Sequence, residues 1–330
     1  MLRQNRITAL LFSAALATVC SVQTVMAQTW PTRAVTIVVP YAAGSASDTV
    51  GRVLAARMSE VLGQQLIIEN VGGGGGMTGT ARVAKAAPDG YTLVFASVDS
   101  MAIVPAMHKT PLYNSITDFT PAGLVVDQPI VLITRKDLPP NTMQEFVAYT
   151  KANHGKMQFG SSGVGSGSHF ACAQLNTVLG INPTHVPYRG SGLAMQDLIG
   201  GRIDYFCGLG AAAMGPIESG NAKGIALLTD ERSNLFPKLQ TAKEQGIAGV
   251  ASYSWTAFLF PKGTPDAIIQ KLADATNQTL NTPATTERLK NAGVTAVAPQ
   301  RRSPAYLKTF VESEVANWAA MVKASGVSID

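Results

Sequence analysis

The chain has 330 residues, 46% of them hydrophobic and 14% charged, and its formal net charge is +5. This modest charge comes without a run of Lys and Arg or a basic amphipathic helix, which argues against binding to nucleic acid or to an acidic membrane surface. The four His residues show no metal-ligand spacing with one another or with a carboxylate. We therefore expect no metal site, no cofactor and no nucleic-acid partner.

The chain begins with the pattern of a secretory signal peptide. Arg3 and Arg6 precede an uncharged, apolar stretch at residues 7–25, and Ala27 is a small residue at the position that signal peptidase reads. We expect cleavage after Ala27 and a periplasmic location for the remaining, soluble chain. A retained transmembrane anchor is the alternative, because the apolar stretch is about long enough to span a bilayer. Its internal Thr, Ser and Gln residues make it a poor span.

Residues 28–330 exceed the size that one hydrophobic core usually supports, so we expect two lobes. The first part of this segment alternates between strand-like apolar runs and amphipathic helices. We predict strands at 35–41, 65–69 and 91–96, and helices at 50–62 and 78–87. This alternation is typical of a parallel sheet with right-handed crossovers.

A second unit begins near Pro129. We predict strands at 130–134, 157–159, 185–188, 203–207 and 225–228, and helices at 143–152, 169–179 and 195–199. The chain then returns to the first unit through a strand at 256–260, a helix at 266–280 and a last helix that begins at Ser303-Pro304. The predicted architecture is an α/β fold with two lobes, residues 28–127 plus 250–330 and residues 128–249, joined by crossings near 125–130 and 248–255.

Two loops between a predicted strand and a predicted helix could bind a ligand, at residues 41–48 and 160–169. Ligands of open α/β sheets bind at the carboxyl ends of the strands. Helix N-termini there offer unpaired N–H groups and a partial positive charge, which suits an anion. For the Gly- and Ser-rich loop at 160–169 we favour ligand binding over a flexible linker. For Ser45, Ser47 and Asp48, simple helix capping is an equal alternative.

Two cysteines, Cys172 and Cys207, remain after cleavage of the signal peptide. The oxidising periplasm permits a disulfide between them. Two buried free thiols are the alternative that we favour, because Cys is among the most buried residue types.

Two enzyme patterns are present but incomplete. Residues 74–79 match the dinucleotide-binding glycine fingerprint, and Asp99 follows about twenty residues later, at the end of the next strand, where that fingerprint has its acidic residue. The glycines follow the second strand of the unit rather than the first, and five glycines in a row match the pattern by chance. His169 lies near Ser166 in the sequence, but no orienting acid completes a hydrolase triad. We therefore predict a binding protein rather than an enzyme.

Many short motifs in this chain occur in the same order in a known family. They are Trp30-Pro31, Ala42-Ala43-Gly44, Glu69-Asn70, residues 87–93, residues 118–121, Phe159-Gly160-Ser161 and residues 185–190. On these motifs the chain resembles the periplasmic binding proteins of tripartite tricarboxylate transporters, also called the Bug family. The resemblance covers essentially all of residues 28–330.

The resemblance implies a type II-like periplasmic binding protein fold, in which two lobes close about a hinge over a ligand in the cleft. It also implies a monomer that captures a small di- or tricarboxylate and delivers it to membrane permease subunits of the transporter. A secreted enzyme and an accessory that presents the ligand to a sensor kinase are the alternatives. The candidate ligand-binding residues are Ala43, Gly44, Asp48, Ser97, Ser161, Ser162, Gly165, Ser166, Gly190 and Ser191.

The chain departs from the family pattern at three places. Ser45 stands where a second glycine is usual, and Val71-Gly72 replaces a basic residue and Pro. Residues 170–173, beginning with Phe170, replace a stretch that contains an acidic residue. A less polar pocket there would favour aromatic dicarboxylates such as terephthalate over citrate-like ligands. The alternative, which we favour, is that these residues only pack the helix.

Overall fold

The computed structural model describes residues 30–325, so the predicted signal peptide lies outside the described residues. The chain opens with β1 (Val35–Val39), α1 (Ala46–Leu62), β2 (Leu66–Asn70), α2 (Met77–Ala84) and β3 (Thr92–Ser97). β1 pairs in parallel with both β2 and β3, as the alternation of strands and helices predicts. Nearly every side chain of β1 is buried, which is typical of a parallel strand covered on both faces.

The strand that follows ties the molecule together. A π-helical turn (Asp99–Ile103) and the short helix α3 (Val104–Met107) lead to β4 (Phe119–Arg135), a strand of 17 residues. Residues 119–129 of β4 pair antiparallel with a late strand, β9 (Tyr253–Pro261). Residues 130–135 pair antiparallel with β7 (Tyr205–Leu209) and β8 (Ala222–Leu227). The predicted crossing near 125–130 is therefore one continuous strand.

The remaining elements follow the predicted order. The second unit contains α4 (Met143–Asn153), β5 (Gln158–Ser161), α5 (Gly167–Leu179), β6 (Thr184–Pro187), α6 (Ser191–Ile199) and α7 (Gly210–Glu218). β5 pairs in parallel with β6 and β7. The chain closes with α8 (Asp266–Leu280), α9 (Pro283–Asn291), β10 (Thr295–Ala296) and α10 (Pro304–Ser325).

The strands of the described chain form one sheet in the order β2-β1-β3-β9-β4-β7-β5-β6, with β8 and β10 also on β4. We call β1–β3, β9, β10 and residues 119–129 of β4 the first sheet half. The second sheet half comprises β5–β8 and residues 130–135 of β4. The chain passes between them within β4 and again between β8 and β9. The lobe bounds given above stay a prediction.

Separate hydrophobic clusters support the two sheet halves. Two clusters cover the first half, around Trp255 and Phe258, and two cover the second half, around Tyr205 and Phe206. Phe170 of α5 belongs to a first-half cluster and packs edge-on against Trp318 of α10, with ring centroids 5.1 Å apart. The two sheet halves therefore also pack against each other through the helices α5 and α10. Within residues 30–325, no helix is long and apolar enough to cross a bilayer.

Cys172 and Cys207 form a disulfide, so the free thiols that we favoured from the sequence are wrong. The bond joins α5 to β7 across 35 residues, with the two Cα atoms 5.4 Å apart. That Cα separation lies in the normal range for a disulfide. Closing a loop of this length stabilises a fold by about 4 kcal/mol in the chain-entropy model. The pairing depends on the packing of α5 against β7, which sequence spacing alone does not reveal.

Candidate functional site

The two loops selected from the sequence meet in the structure. Each loop joins a strand of the parallel part of its sheet half to a helix, β1 to α1 and β5 to α5. Each helix begins with a serine cap: the Ser45 side chain accepts from the Asp48 N–H, and the Ser166 side chain accepts from the His169 N–H. The predicted capping of α1 by Ser45 is therefore confirmed. A helix N-terminus carries a partial positive charge, so each loop leads to a place that favours an anion.

A small cavity of about 10 Å³ lies between the N-terminus of α1 and the second loop. Its walls come from both sheet halves, so it exists only while they are in contact. A cavity of this size holds about one water molecule. The lining residues are Tyr41, Ser45, Ala46, Ser47, Ser97, Asp99, Ser162, Ser191 and Leu209.

The backbones of the two halves touch around this cavity. The Ala46 N–H donates to the Ser191 hydroxyl at 3.0 Å, and the Ala42 N–H donates to the Arg189 carbonyl at 3.4 Å. A Cβ on Gly192 would lie 2.6 Å from the Gly44 carbonyl oxygen, which is closer than real Cβ atoms approach. Glycine at position 192 therefore permits contact between the first turn of α6 and the loop before α1.

Asp48 holds the first loop rather than lining the cavity. Its buried carboxylate accepts hydrogen bonds from the Gly44 N–H at 2.9 Å, the Arg52 guanidinium at 3.0 Å and the Asn70 amide at 3.0 Å. Burial raises the pKa of the Asp48 carboxyl, but these hydrogen bonds, led by the one from Arg52, outweigh burial and hold the pKa below its usual value. The ionised side chain therefore fixes the path of the loop that the cavity depends on.

The hydroxyl groups of the second loop form a chain of hydrogen bonds. The Ser162 and Ser168 hydroxyls are 2.9 Å apart, and those of Ser166 and Ser168 are 3.0 Å apart. The Ser166 hydroxyl also donates to the Gly163 carbonyl at 2.8 Å. Within this network, Ser162 reaches the cavity, so its neighbours serve to position it.

A stacked pair of histidines supports this loop from behind. The His169 and His185 rings have centroids 4.1 Å apart, and His185 also stacks on Phe159 at 4.8 Å. His185 Nε2 lies 2.7 Å from the Ser161 hydroxyl, and His169 Nδ1 accepts from the Gly165 N–H at 3.2 Å. Burial lowers the pKa of both rings, and the neighbouring ring lowers the pKa of His185 further, to about 4. Both rings are therefore neutral at pH 7.

Asp99 is a cavity residue that the sequence analysis did not assign to the ligand site. It follows β3 and is buried, with 5% of its surface exposed. Its carboxylate accepts from the Tyr41 hydroxyl at 3.3 Å and from the backbone N–H of Gly167, the first residue of α5. Burial raises the pKa of Asp99 to about 6, although these hydrogen bonds act in the opposite direction. A carboxylate of the first sheet half thus reaches the helix N-terminus of the second.

The predicted site residues fall into three groups. Ser97, Ser162 and Ser191 line the cavity. Ala43 and Gly44 are exposed and lie outside the lining. The buried residues that shape the surrounding loops are Asp48, Ser161, Gly165, Ser166 and Gly190.

The predicted site residues do not include the lining residues Tyr41, Ser45, Ala46, Ser47, Asp99 and Leu209, although the first four lie in the loop at 41–48 that the sequence marked. Asp99 stood at the carboxyl end of a predicted parallel strand, which is where ligands of such sheets bind. That position was a usable signal, but we considered Asp99 only as part of a nucleotide fingerprint. Tyr41 likewise ends the first predicted strand, and it reaches Asp99 with its hydroxyl.

The glycines in the nucleotide fingerprint lie close to other parts of the chain. A Cβ on Gly75 would lie 2.7 Å from the Val104 side chain, and one on Gly76 would lie 3.0 Å from the Tyr41 hydroxyl. These glycines therefore pack against protein atoms. The side chains of the hydrolase pattern are hydrogen-bonded to the backbone of their own loop. The Ser166 hydroxyl donates to the Gly163 carbonyl, and His169 Nδ1 accepts from the Gly165 N–H.

Phe170 lies in the core against Trp318 and is not among the cavity residues. The helix-packing alternative for residues 170–173 is therefore confirmed for this side chain. The suggestion that Phe170 makes the pocket favour aromatic ligands loses its basis.

Comparison with known proteins identifies close structural relatives. A family model described as tripartite tricarboxylate transporter family receptor matches residues 50–327. The structure of the periplasmic binding protein BugD superposes with a TM-score of 0.87 at 36% identity, covering 91% of this chain and 99% of BugD. MatC from Rhodopseudomonas palustris with bound malate gives a TM-score of 0.85 at 35% identity, covering 89% of this chain and 100% of MatC. R. palustris Rpa4515 with adipate gives a TM-score of 0.85 at 31% identity, covering 91% of this chain and 99% of Rpa4515.

We predict that the stacked histidines make the fold sensitive to acid. Unfolded His185 takes up a proton near pH 6.5, whereas the folded protein resists protonation until about pH 4. The stability that this difference contributes is present above pH 6.5 and is lost as the pH falls toward 4. The melting temperature of wild type should therefore fall more steeply between pH 7.5 and 5 than that of His185→Gln. His154→Gln, which changes a histidine outside the loop, should follow wild type. Parallel curves for wild type and His185→Gln would contradict this account.

Proposed function

The chain belongs to the tripartite tricarboxylate transporter receptor family, as its motifs predicted, and from that premise we propose that it captures a small aliphatic dicarboxylate in the periplasm. Members of this family are solute-binding receptors. Two relatives of the same fold hold malate and adipate, both of which carry two carboxylates. These ligands support the same chemical class for this chain.

The observation that carries the proposal is the cavity that the N-terminus of α1 shares with the second sheet half. Residues 45–47 line it from one side, and Ser162 and Ser191, the first residue of α6, line it from the other. Backbone N–H groups at a helix start bind anions without Lys or Arg. The serine hydroxyls of the lining can donate further hydrogen bonds. A molecule with a carboxylate at each end would contact both sheet halves together.

Ligand entry requires the sheet halves to separate. The cavity of about 10 Å³ is far smaller than a dicarboxylate. We place the hinge where the chain passes between the halves, near residue 130 of β4 and again between β8 and β9. A ligand that contacts both halves favours the closed arrangement over the open one. No covalent chemistry is needed for this cycle.

The closed, loaded protein then delivers its ligand to the membrane permease subunits of the transporter. The family description as a transporter receptor supports this step. The signal-peptide pattern at residues 1–27 supports export to the periplasm. We expect a monomer, since each chain carries both sides of its own cleft.

The ligand class can be tested by thermal shift on protein that starts at Gln28. The panel contains succinate, malate, adipate, citrate and terephthalate, with acetate as a monocarboxylate control. A ligand at 100 times its dissociation constant adds about 2.7 kcal/mol to the free energy of unfolding. We expect an aliphatic dicarboxylate to give the largest rise in melting temperature. If no carboxylate raises it, even after unfolding and refolding to remove co-purified ligand, the proposed class is wrong.

Closure can be tested at Gly192. An added methyl group would lie 2.6 Å from the Gly44 carbonyl oxygen, so it blocks contact between α6 and the first loop. We expect Gly192→Ala to weaken the affinity for the best panel ligand at least tenfold while the unliganded melting temperature stays close to wild type. Gly215→Ala is the matched control, because nothing lies within 4 Å of a Cβ at that helical position. Wild-type affinity in Gly192→Ala, measured by calorimetry, would contradict closure through this contact.

A further inference from the structure

Asp99 is a buried carboxylate that faces the cavity without a cationic partner. Within the described chain, Asp99 is the one charged side chain among the cavity residues. Its partners are the Tyr41 hydroxyl at 3.3 Å and the backbone N–H groups of Gly167 and of Asp99 itself. None of these donors is a cation, and the N-terminus of α5 supplies only a partial positive charge, so the negative charge of Asp99 is not fully balanced.

Other buried carboxylates of the chain are better compensated. Asp48 pairs with the Arg52 guanidinium at 3.0 Å, and the half-buried Asp127 pairs with Arg301. Glu314 has no cation but accepts two short hydrogen bonds, from Tyr253 at 2.6 Å and Trp255 at 2.8 Å. Asp99, by contrast, has a single side-chain donor, at 3.3 Å. The difference is that Asp99 borders the space where the ligand binds.

A buried carboxylate without a cation costs free energy that a neutral side chain at the same place would not. The raised pKa of Asp99, about 6, reflects this cost, since burial outweighs its hydrogen bonds. A positive charge placed against the carboxylate would remove much of the penalty. The cavity residues supply none, so the ligand is the remaining source of that charge.

We infer that Asp99 binds a protonated amine on the ligand, so that the site selects carboxylates that carry an ammonium group. The inference rests on the proposed carboxylate-binding function and narrows its ligand class to amino dicarboxylates. The carboxylates of such a ligand bind the N-terminus of α1 and the lining hydroxyls, while its ammonium group meets Asp99. A dicarboxylate without an amine instead brings a second negative charge close to Asp99, which weakens its binding.

Matched ligand pairs test this inference. L-Aspartate differs from succinate, and L-glutamate from glutarate, by the amine alone. Calorimetry at pH 7.5 on wild type should give at least tenfold tighter binding for the amino member of one pair. Asp99→Asn keeps the shape and removes the charge, and it should reduce that preference at least tenfold. Asp89→Asn is the control, because it removes an exposed carboxylate paired with Arg33 far from the cavity, and it should keep the wild-type preference.

Several results would overturn the inference. If succinate or glutarate binds wild type as tightly as its amino partner, the amine is not recognised, although carboxylate binding itself stands. If Asp99→Asn increases the affinity for both members of a pair equally, Asp99 repels a ligand carboxylate instead of binding an amine. The wild-type comparison decides the matter even if Asp99→Asn fails to fold. If no member of either pair and no panel carboxylate binds, the proposed function fails as well.

Discussion

Close contact between the loops of the two sheet halves depends on positions that carry no side chain. A Cβ on Gly167 would lie 2.5 Å from the Asp99 carboxylate, and one on Gly192 would lie 2.6 Å from the Gly44 carbonyl oxygen. Because these positions are glycine, backbone from one half reaches backbone and polar groups of the other. The cavity, its shared lining and the meeting of two helix N-termini all follow from that approach.

The same arrangement explains how an anion site can form without Lys or Arg in its lining. Helix N-termini provide fixed donors and partial positive charge. Such a site recognises a carboxylate but distinguishes poorly between carboxylates, since backbone groups are alike in every loop. Selectivity must then come from the few side chains that reach the cavity. Asp99 is the charged side chain among the described residues that line the cavity, and under our proposal it has the most influence over which ligand is accepted.

Strand and helix periodicity predicted the alternating architecture and both strand-to-helix loops that border the cavity, because each depends on local sequence. The full length of β4 was not predicted, since Pro121, Gly123 and Pro129 are typical strand breakers. The structure accommodates Pro121 and Gly123 where the pairing with β9 shifts register, and a second shift lies between Leu124 and Val126. The disulfide and the place of Asp99 at the start of α5 depend on how distant elements pack. A single sequence carries no local signal for such contacts.

The central claim is that one ligand is held by both sheet halves, at the N-terminus of α1 and at the loop before α5. Hydrogen–deuterium exchange with the carboxylate that gives the largest thermal shift tests this most directly. The account predicts that peptides covering residues 41–48 and residues 160–169 exchange more slowly together when the ligand is added. Protection of only one of these loops, or protection confined to another part of the chain, would contradict it.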